Sequence, residues 1–278
     1  MRKIFLGVVF GLSAAAFAQT DDVVKIQAAY QNMREFPAVQ IQVDSIRQNN
    51  QKQTNSSEII DWVWDPTEQT ANSAKMAAAD YVNGVQVAQL VADGETLFNY
   101  YPTQRSYLAH YYAATTNTAQ SDYRMNLLQH FDSFSGLRGN YAARFLQEAY
   151  GADASIYSPW SSGEMTEINT TTGPAIDPIT GTSYTPSAVM DYVTYEVTGT
   201  VNRSIVLQRT STALPDGTEG YVITAIYVAE ADNTDTSNPK NLQVILSITP
   251  QVTAPTNTTF TFVPPSGSKA LQSTGVVG

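Results

Sequence analysis

The chain has 278 residues, of which 42% are hydrophobic and 14% are charged, and it carries a formal net charge of −10 and no cysteine. This length and low charged fraction predict a folded chain with a sizeable core. The acidic balance argues against binding to nucleic acid or anionic lipid surfaces. The lack of cysteine excludes disulfides, thiolate metal sites and cysteine nucleophiles.

Residues 1–18 have the pattern of a signal peptide. Arg2 and Lys3 precede an apolar run, and Ala16-Phe17-Ala18 supplies small residues for cleavage. The run is shorter than the ~20 residues that a membrane-spanning helix needs. We therefore expect cleavage near Ala18, export to the periplasm or beyond, and no transmembrane segment in the mature chain.

The first element of the mature chain is predicted to be an amphipathic helix from Asp21 to Phe36, with Pro37 just beyond it. Its apolar residues recur at helical spacing: Val23, Ile26, Tyr30 and Met33. Such a stripe is typical of a helix that packs on a sheet.

From Ala38 the hydrophobic period changes to that of a strand, with Val39, Ile41 and Val43 on one face. Further strands are predicted at Ile59 to Trp64, Lys75 to Val82, Val85 to Ala92, Thr96 to Tyr101 and Ser106 to Tyr112. The Asn83-Gly84 and Asp93-Gly94 pairs between alternating runs are strong hairpin signals. The pattern predicts an antiparallel meander.

Helical spacing returns in the middle of the chain. One predicted helix begins near Ser121 and carries Leu127 and Phe131, and a second carries Phe145 and ends before Gly151. Residues 152–187 are polar and rich in Gly, Pro and Thr, which predicts an inserted surface loop or a weak hairpin.

The remaining strands are predicted at Tyr192 to Thr198, Val201 to Arg209, Tyr221 to Ala229, Leu242 to Thr249 and Thr259 to Val263. In the last of these, Phe260 and Phe262 share one side, and Pro264-Pro265 ends the strand. The fold class is α+β: helices lie against one face of a single curved antiparallel sheet. Residues 19–271 form one domain, and residues 272–278 form a tail.

Catalytic chemistry has little support in the sequence. His110 and His130 lack neighbours at metal-ligand spacing, and no serine has a GxSxG context. The acidic pairs, such as Asp61 with Asp65, fit strand ends or helix termini better than a paired-carboxylate site. We expect no enzyme activity, no catalytic residue, no metal and no cofactor.

Two motifs carry a resemblance to a known family. The hairpin VADGETLFNYYPTQRSYLAHYY and the ending TFTFVPPSGSKAL share the patterns DG-T-L-x-x-Y-x-P and F-x-F-x-P-P-x-G-x-K with predicted periplasmic proteins. The chain thereby resembles the periplasmic lipoprotein carrier superfamily (LolA/LolB-like). The resemblance implies an unclosed β-barrel with a helical lid, whose concave apolar face holds the acyl chains of a lipoprotein or another lipid.

On this resemblance and on the alternating apolar positions, we expect a hydrophobic ligand in a half-barrel cavity. The expected lining residues are Val39, Ile41, Val43, Phe98, Tyr100, Leu127, Phe131, Phe260 and Phe262. The alternative is a filled core without a ligand, in an envelope structural protein that binds a protein partner through residues 152–187.

The sequence departs from the carrier pattern at two points. The carriers hold the lid closed with an arginine in an early strand, whereas the comparable stretch here is VWDPTEQTANSAKM, which contains none. The inserted loop is a second departure. We therefore expect a lipid-binding or structural relative of the carriers more than a lipoprotein shuttle.

Overall fold

The structure is a computed structural model that describes residues 21–49, 52–64, 74–111, 127, 131, 141–150, 165–171, 192–199, 203–209, 220–232 and 240–271. These residues form one sheet with helices against it. The predicted signal peptide (residues 1–18), the predicted tail (residues 272–278) and most of residues 152–187 lie outside the described residues.

Helix α1 spans Asp21–Asn32 and continues into a 3-10 turn, Met33–Glu35. Residues 141–150 are helical and are named α2, and Leu127 and Phe131 also lie in helical conformation. The strands are β1 (Ala38–Asn49), β2 (Lys52–Trp64), β3 (Ala74–Val82), β4 (Val85–Ala92), β5 (Thr96–Tyr101), β6 (Ser106–Tyr111), β7 (Met165–Thr171), β8 (Tyr192–Gly199), β9 (Arg203–Arg209), β10 (Tyr221–Asp232), β11 (Lys240–Gln251) and β12 (Lys269–Ala270).

The sheet has 12 strands in the order β12-β6-β5-β4-β3-β2-β1-β11-β10-β9-β8-β7. Every neighbouring pair is antiparallel except β12 and β6, which are parallel. The sheet is therefore mixed and unclosed. Strand β1 pairs with both β2 and β11 from Ala38 to Asn49, so it joins two meanders along its whole length.

A small buried cluster from β9, β10 and β11 lies on one face of the sheet, and the main core lies on the other, which we call the inner face. Val39, Ile41 and Val43 point to it from β1, and each is at most 1% exposed. Because side chains alternate along a strand, a register shift of one residue would turn these three away from the core. The alternation in the sequence therefore specifies which face of β1 carries the helices.

The hairpin turns are those expected from Asn-Gly and Asp-Gly. Asn83 and Gly84 both have positive φ, 48° and 79°, as the two central residues of a type I′ turn require. At the next turn, the Asp93 Oδ1 accepts hydrogen bonds from the backbone N–H groups of Glu95 (2.9 Å) and Thr96 (2.8 Å). A short side chain thus satisfies the backbone of the β4–β5 connection.

Removing the Asp93 carboxylate should lower the free energy of unfolding only modestly. We expect Asp93→Ala to lower the free energy of unfolding by about 1 kcal/mol, because it removes the acceptor of two turn N–H groups. Asp93→Asn, which keeps an acceptor oxygen, is the control and should lose less. Urea unfolding of the three proteins measures the difference, and equal losses for both variants would contradict the role assigned to the oxygen.

The strand prediction at Thr259 to Val263 is wrong. The chain forms a 3-10 helix at Asn257–Phe260, and the residues after it are outside the sheet until β12. Both edges of β11 are already paired, with β1 and β10, so no ladder remains for a following strand next to it. The alternation of Phe260 and Phe262 has another cause, described below.

The segment predicted as an inserted loop or weak hairpin contains a strand. Met165–Thr171 pairs antiparallel with β8 and forms the last strand at that end of the sheet. Its partner lies outside the segment, so a hairpin within residues 152–187 stays a prediction.

Candidate binding face

Helix α2 is part of the core on the inner face. Its apolar residues belong to the same buried cluster as residues of β1, β2, β10 and β11: Ala142, Ala143, Phe145, Leu146, Ala149 and Tyr150. Leu127 and Phe131 belong to this cluster too, and both are 0% exposed. The small side chains of the three alanines allow the helix to approach the sheet closely.

Aromatic contacts join both helices and the sheet. The Phe145 ring lies 6.0 Å from the Tyr30 ring of α1, and the Tyr150 ring lies 6.0 Å from the Trp62 ring of β2. Both pairs are tilted, an arrangement that aromatic quadrupoles favour. Helix α2 therefore bridges α1 and the sheet.

Two polar contacts hold the end of α2 against the turn that follows α1, and we call them the latch. The Arg34 Nε donates a hydrogen bond to the Ala149 carbonyl oxygen (2.6 Å), and the Tyr150 hydroxyl donates to the Met33 carbonyl oxygen (3.0 Å). A guanidinium at a helix C-terminus satisfies a carbonyl that has no partner within the helix. The latch thus fixes α2 to the N-terminal element.

The sequence did not identify Arg34 or Tyr150 as functional residues. No pattern in the sequence singled out either residue. The hydrogen bond between Arg34 and the distant Ala149 carbonyl is a property of the tertiary structure.

Burial raises the pKa of the Tyr150 hydroxyl well above its ordinary value, and the nearby charge of Arg34 opposes this rise only partly. The neutral hydroxyl is the form that donates to Met33. The folded chain therefore retains this proton at a pH where the unfolded chain has lost it.

This pKa predicts a loss of stability in alkali. The contribution is fully present below the unfolded pKa of about 10 and is lost as the pH rises above it, at up to about 1.4 kcal/mol per pH unit. Tyr150→Phe should begin with a lower free energy of unfolding, because the bond to Met33 is gone, but should show a shallower alkaline loss. Urea unfolding at about pH 9 and about pH 11 measures both slopes; equal slopes would contradict the assignment.

Several polar groups lie within the buried inner face. The Trp62 side chain is 0% exposed, and none of the described residues accepts a hydrogen bond from its Nε1. Glu58 and Asp80 are cross-strand neighbours on β2 and β3 and are 1% and 6% exposed. Sequence reasoning missed both acids because each is a single charge in an otherwise ordinary alternating strand.

A second aromatic cluster lies on the opposite, outer face. Phe98 and Tyr100 alternate with Leu97, which belongs to the inner core, and so project outward from β5. The Phe262 ring lies 5.0 Å from the Phe98 ring, 6.0 Å from the Tyr100 ring and 5.4 Å from the Tyr107 ring. The last part of the chain therefore covers the outer face of β5 and β6.

The nine predicted lining residues accordingly divide between two faces. Val39, Ile41, Val43, Leu127 and Phe131 come together in the inner cluster. The other four do not join them: Phe98, Tyr100 and Phe262 meet on the outer face, and Phe260 is 2% exposed outside the inner cluster. Contact of either set with a ligand stays a prediction.

Among the residues that the structure describes, no three His, Cys, Asp or Glu side chains are grouped so that they could hold a metal ion. Asp61 accepts a hydrogen bond from the Gln40 Nε2 (2.8 Å), its cross-strand neighbour. Asp65, the acid paired with Asp61 in the sequence, and His130 lie outside the described residues. Within the same described ranges, no helix is both long and apolar enough to cross a membrane.

Comparisons with known proteins give little similarity. No protein-family model matches the sequence, and no curated protein matches it. Among solved structures, a crystal structure of MucB in complex with MucA(peri) is 11% identical over 82% of this chain and 99% of that one, with a TM-score of 0.12. A Pseudomonas aeruginosa MucA/MucB complex is 8% identical over 82% and 99%, with a TM-score of 0.10. Values this low assign neither a fold nor a partner to the chain.

Proposed function

We propose that the chain is an exported, non-enzymatic binding protein that holds a hydrophobic ligand between the inner face of the sheet and α2. The acyl chain of a lipid or lipoprotein is the ligand class that suits this surface. The observation that carries the proposal is the composition of the inner cluster: aliphatic and aromatic side chains from β1 to β4 and β9 to β11 are buried together with residues of helices, α2 among them.

A helix is easier to displace from a sheet than a paired strand is, because its backbone hydrogen bonds are internal and survive the movement. Polar contacts secure α2 to the turn after α1 at Arg34 with Ala149 and at Tyr150 with Met33. The inner side chains are buried when α2 is in place, so ligand entry requires α2 to move.

The indole of Trp62 provides a polar complement to this apolar surface. Buried donors in native structures nearly always have an acceptor, and each exception requires an explanation. A carbonyl or ester oxygen at the head of an acyl chain would be a suitable acceptor for the Trp62 Nε1. The ligand would then be oriented, with its polar head near β2 and the end of α2.

Binding of a naturally fluorescent polyene fatty acid tests the proposal, since its absorption overlaps tryptophan emission. We expect saturable binding with energy transfer from Trp62 and Trp64. The Trp62→Phe, Trp64→Phe double variant should lose most of this transfer while direct excitation of the polyene still reports binding. Unchanged transfer would place the probe elsewhere on the chain.

A matched pair of variants on β2 distinguishes the two faces. Ile60 is 0% exposed on the inner face, whereas its neighbour Ile59 is 43% exposed on the outer face. We expect Ile60→Gln to weaken probe binding at least about fivefold, since a buried amide disfavours an apolar ligand, and Ile59→Gln to leave it unchanged. Circular dichroism first confirms that both variants fold. Equal affinities, or no uptake by the parent, would refute the inner binding site.

A further inference from the structure

The C-terminal strap, residues 257–271, is attached to the rest of the chain at both ends and through two phenylalanines, Phe260, which is 2% exposed, and Phe262. Its strand pairing is limited to Lys269 and Ala270 beside β6, with backbone hydrogen bonds from Lys269 to Arg105 and from Leu271 to Tyr107. The Lys75 Nζ donates to the Asn257 Oδ1 (3.2 Å) at the other end. Most of the strap is exposed, including Val263 at 75%.

Phe262 attaches the strap to the outer face. It lies in what we call the outer slot, the side chains of Phe98, Tyr100 and Tyr107, with ring distances of 5.0 to 6.0 Å. Tyr100 is 8% exposed, and Val91, the cross-strand neighbour of Phe98, is 2% exposed although neither belongs to the inner core. A buried apolar patch therefore exists on the outer face beneath the strap.

An aromatic slot beside a sheet edge is a known arrangement for peptide recognition. The edge supplies backbone hydrogen bonds and the pocket selects a side chain. Here β6 is followed in the sheet only by the short β12, so residues 108–111 extend beyond the part of the edge that β12 covers. The strap uses both elements: Phe262 fills the slot and β12 pairs with the edge.

The segment that leads to the strap is exposed. Val252 is 74% exposed, and residues 253, 254 and 256 are exposed as well. The slot and the edge belong to β5 and β6, so they present the same contacts to a strap arriving from another molecule. Exchange of an identical element between two copies costs little free energy when the linker before that element can follow a different path.

We propose that the outer slot and the β6 edge form a peptide-binding site, which the chain's own strap occupies in one molecule and which the strap of a second copy can occupy by exchange. A short tether holds the strap at an effective concentration of about a millimolar, so the intramolecular form dominates unless the tether is shortened. This site is on the opposite face from the proposed ligand site and is independent of it.

The first test uses a labelled peptide of residues 257–271 and the full mature chain. Phe262→Ala in the protein should weaken its own strap and raise the affinity for the peptide at least about tenfold, because the competing tethered segment is released. Val263→Ala, at the exposed neighbouring position, is the matched control and should bind the peptide as the parent does. A peptide carrying Phe262→Ala should not bind.

A slot variant makes this test decisive. Phe98→Ala combined with Phe262→Ala in the protein removes one wall of the outer slot and should abolish binding of the parent peptide. If the Phe262→Ala protein folds but binds the peptide no better than the Val263→Ala protein does, the exchange site is refuted. Binding that survives Phe98→Ala would equally overturn it, since the peptide would then be held elsewhere.

The second test shortens the tether. Deleting residues 252–255 shortens the linker before the strap by about 13 Å. We expect that Phe262 then cannot reach the outer slot of its own molecule. We expect a dimer by light scattering, which reverts to a monomer when Phe262→Ala is added. A monomer with a protease-sensitive C-terminus would contradict exchange.

Discussion

Phe145→Ala should lower the free energy of unfolding by about 3–5 kcal/mol, the largest effect of any substitution considered. The side chain is 1% exposed within the inner core, and its ring contacts Tyr30 of α1. Truncation removes a large apolar side chain and leaves a cavity at the meeting point of α1, α2 and the sheet. Urea or thermal unfolding measures the loss.

Gln147 is the control for Phe145. It lies two residues along α2 and is only partly buried. Gln147→Ala should change the free energy of unfolding by no more than about 0.5 kcal/mol, as surface substitutions usually do. If Phe145→Ala behaved like Gln147→Ala, α2 would not be packed into the core, and the proposed binding face would lose its cover.

The second large effect is expected at Arg34. Arg34→Met keeps most of the aliphatic stem but removes the charged hydrogen bond to the Ala149 carbonyl. We expect a loss of about 1.5–3 kcal/mol in the free energy of unfolding, the range for hydrogen bonds that involve a charged group. Removal of this contact should also promote local opening of α2.

Hydrogen exchange followed by mass spectrometry distinguishes local opening from general destabilisation. With Arg34→Met, amides of residues 141–150 should exchange faster relative to those of β10 and β11, and uptake of the polyene fatty acid should become faster. Arg144→Met is the control: Arg144 pairs with Glu148 within the same helix, at 3.2 Å between its Nε and the Glu148 Oε1. Uniform acceleration across the sheet would show that Arg34 stabilises the fold without governing α2.

The apolar contact of Phe145 and the polar latch contribute differently to the proposed opening of α2. Phe145 supplies stability through apolar burial, which persists over the whole pH range. The latch at Arg34 and Tyr150 is polar and local, so it can break without loss of the sheet. In the proposed binding protein, opening of α2 requires both a stable core and a latch that can break. The alkaline loss of stability expected from Tyr150 measures the latch independently.

Local patterns in the sequence predicted most of the elements. The strands Val85–Ala92 and Thr96–Tyr101 have the predicted bounds, because Asn-Gly and Asp-Gly turns specify where each strand ends. The amphipathic N-terminal helix was predicted for the same reason: its period of apolar residues is a local property. The inner face of β1 followed from strict alternation at Val39, Ile41 and Val43.

The ending of the chain shows where local pattern misleads. Alternation of Phe260 and Phe262 indicates two residues on one side of an extended segment, and it does not show whether that segment is hydrogen-bonded in a sheet. The structure uses these residues to attach a strap to the outer face. Likewise, Phe98 and Tyr100 were assigned to the same cavity as Ile41 because alternation identifies a face without saying which face.

By itself, the sequence determined the sheet-rich class, most strand positions and the amphipathic helix, all of which depend on neighbours within a few residues. The tertiary structure decided which face carries α2, that Arg34 contacts Ala149, and that Phe262 covers the outside of β5 and β6. The physical reason is that these contacts join residues far apart in the chain. The energies of these contacts depend on how the helices, the strands and the strap pack together. The periodicity of apolar residues within one segment carries no information about that packing.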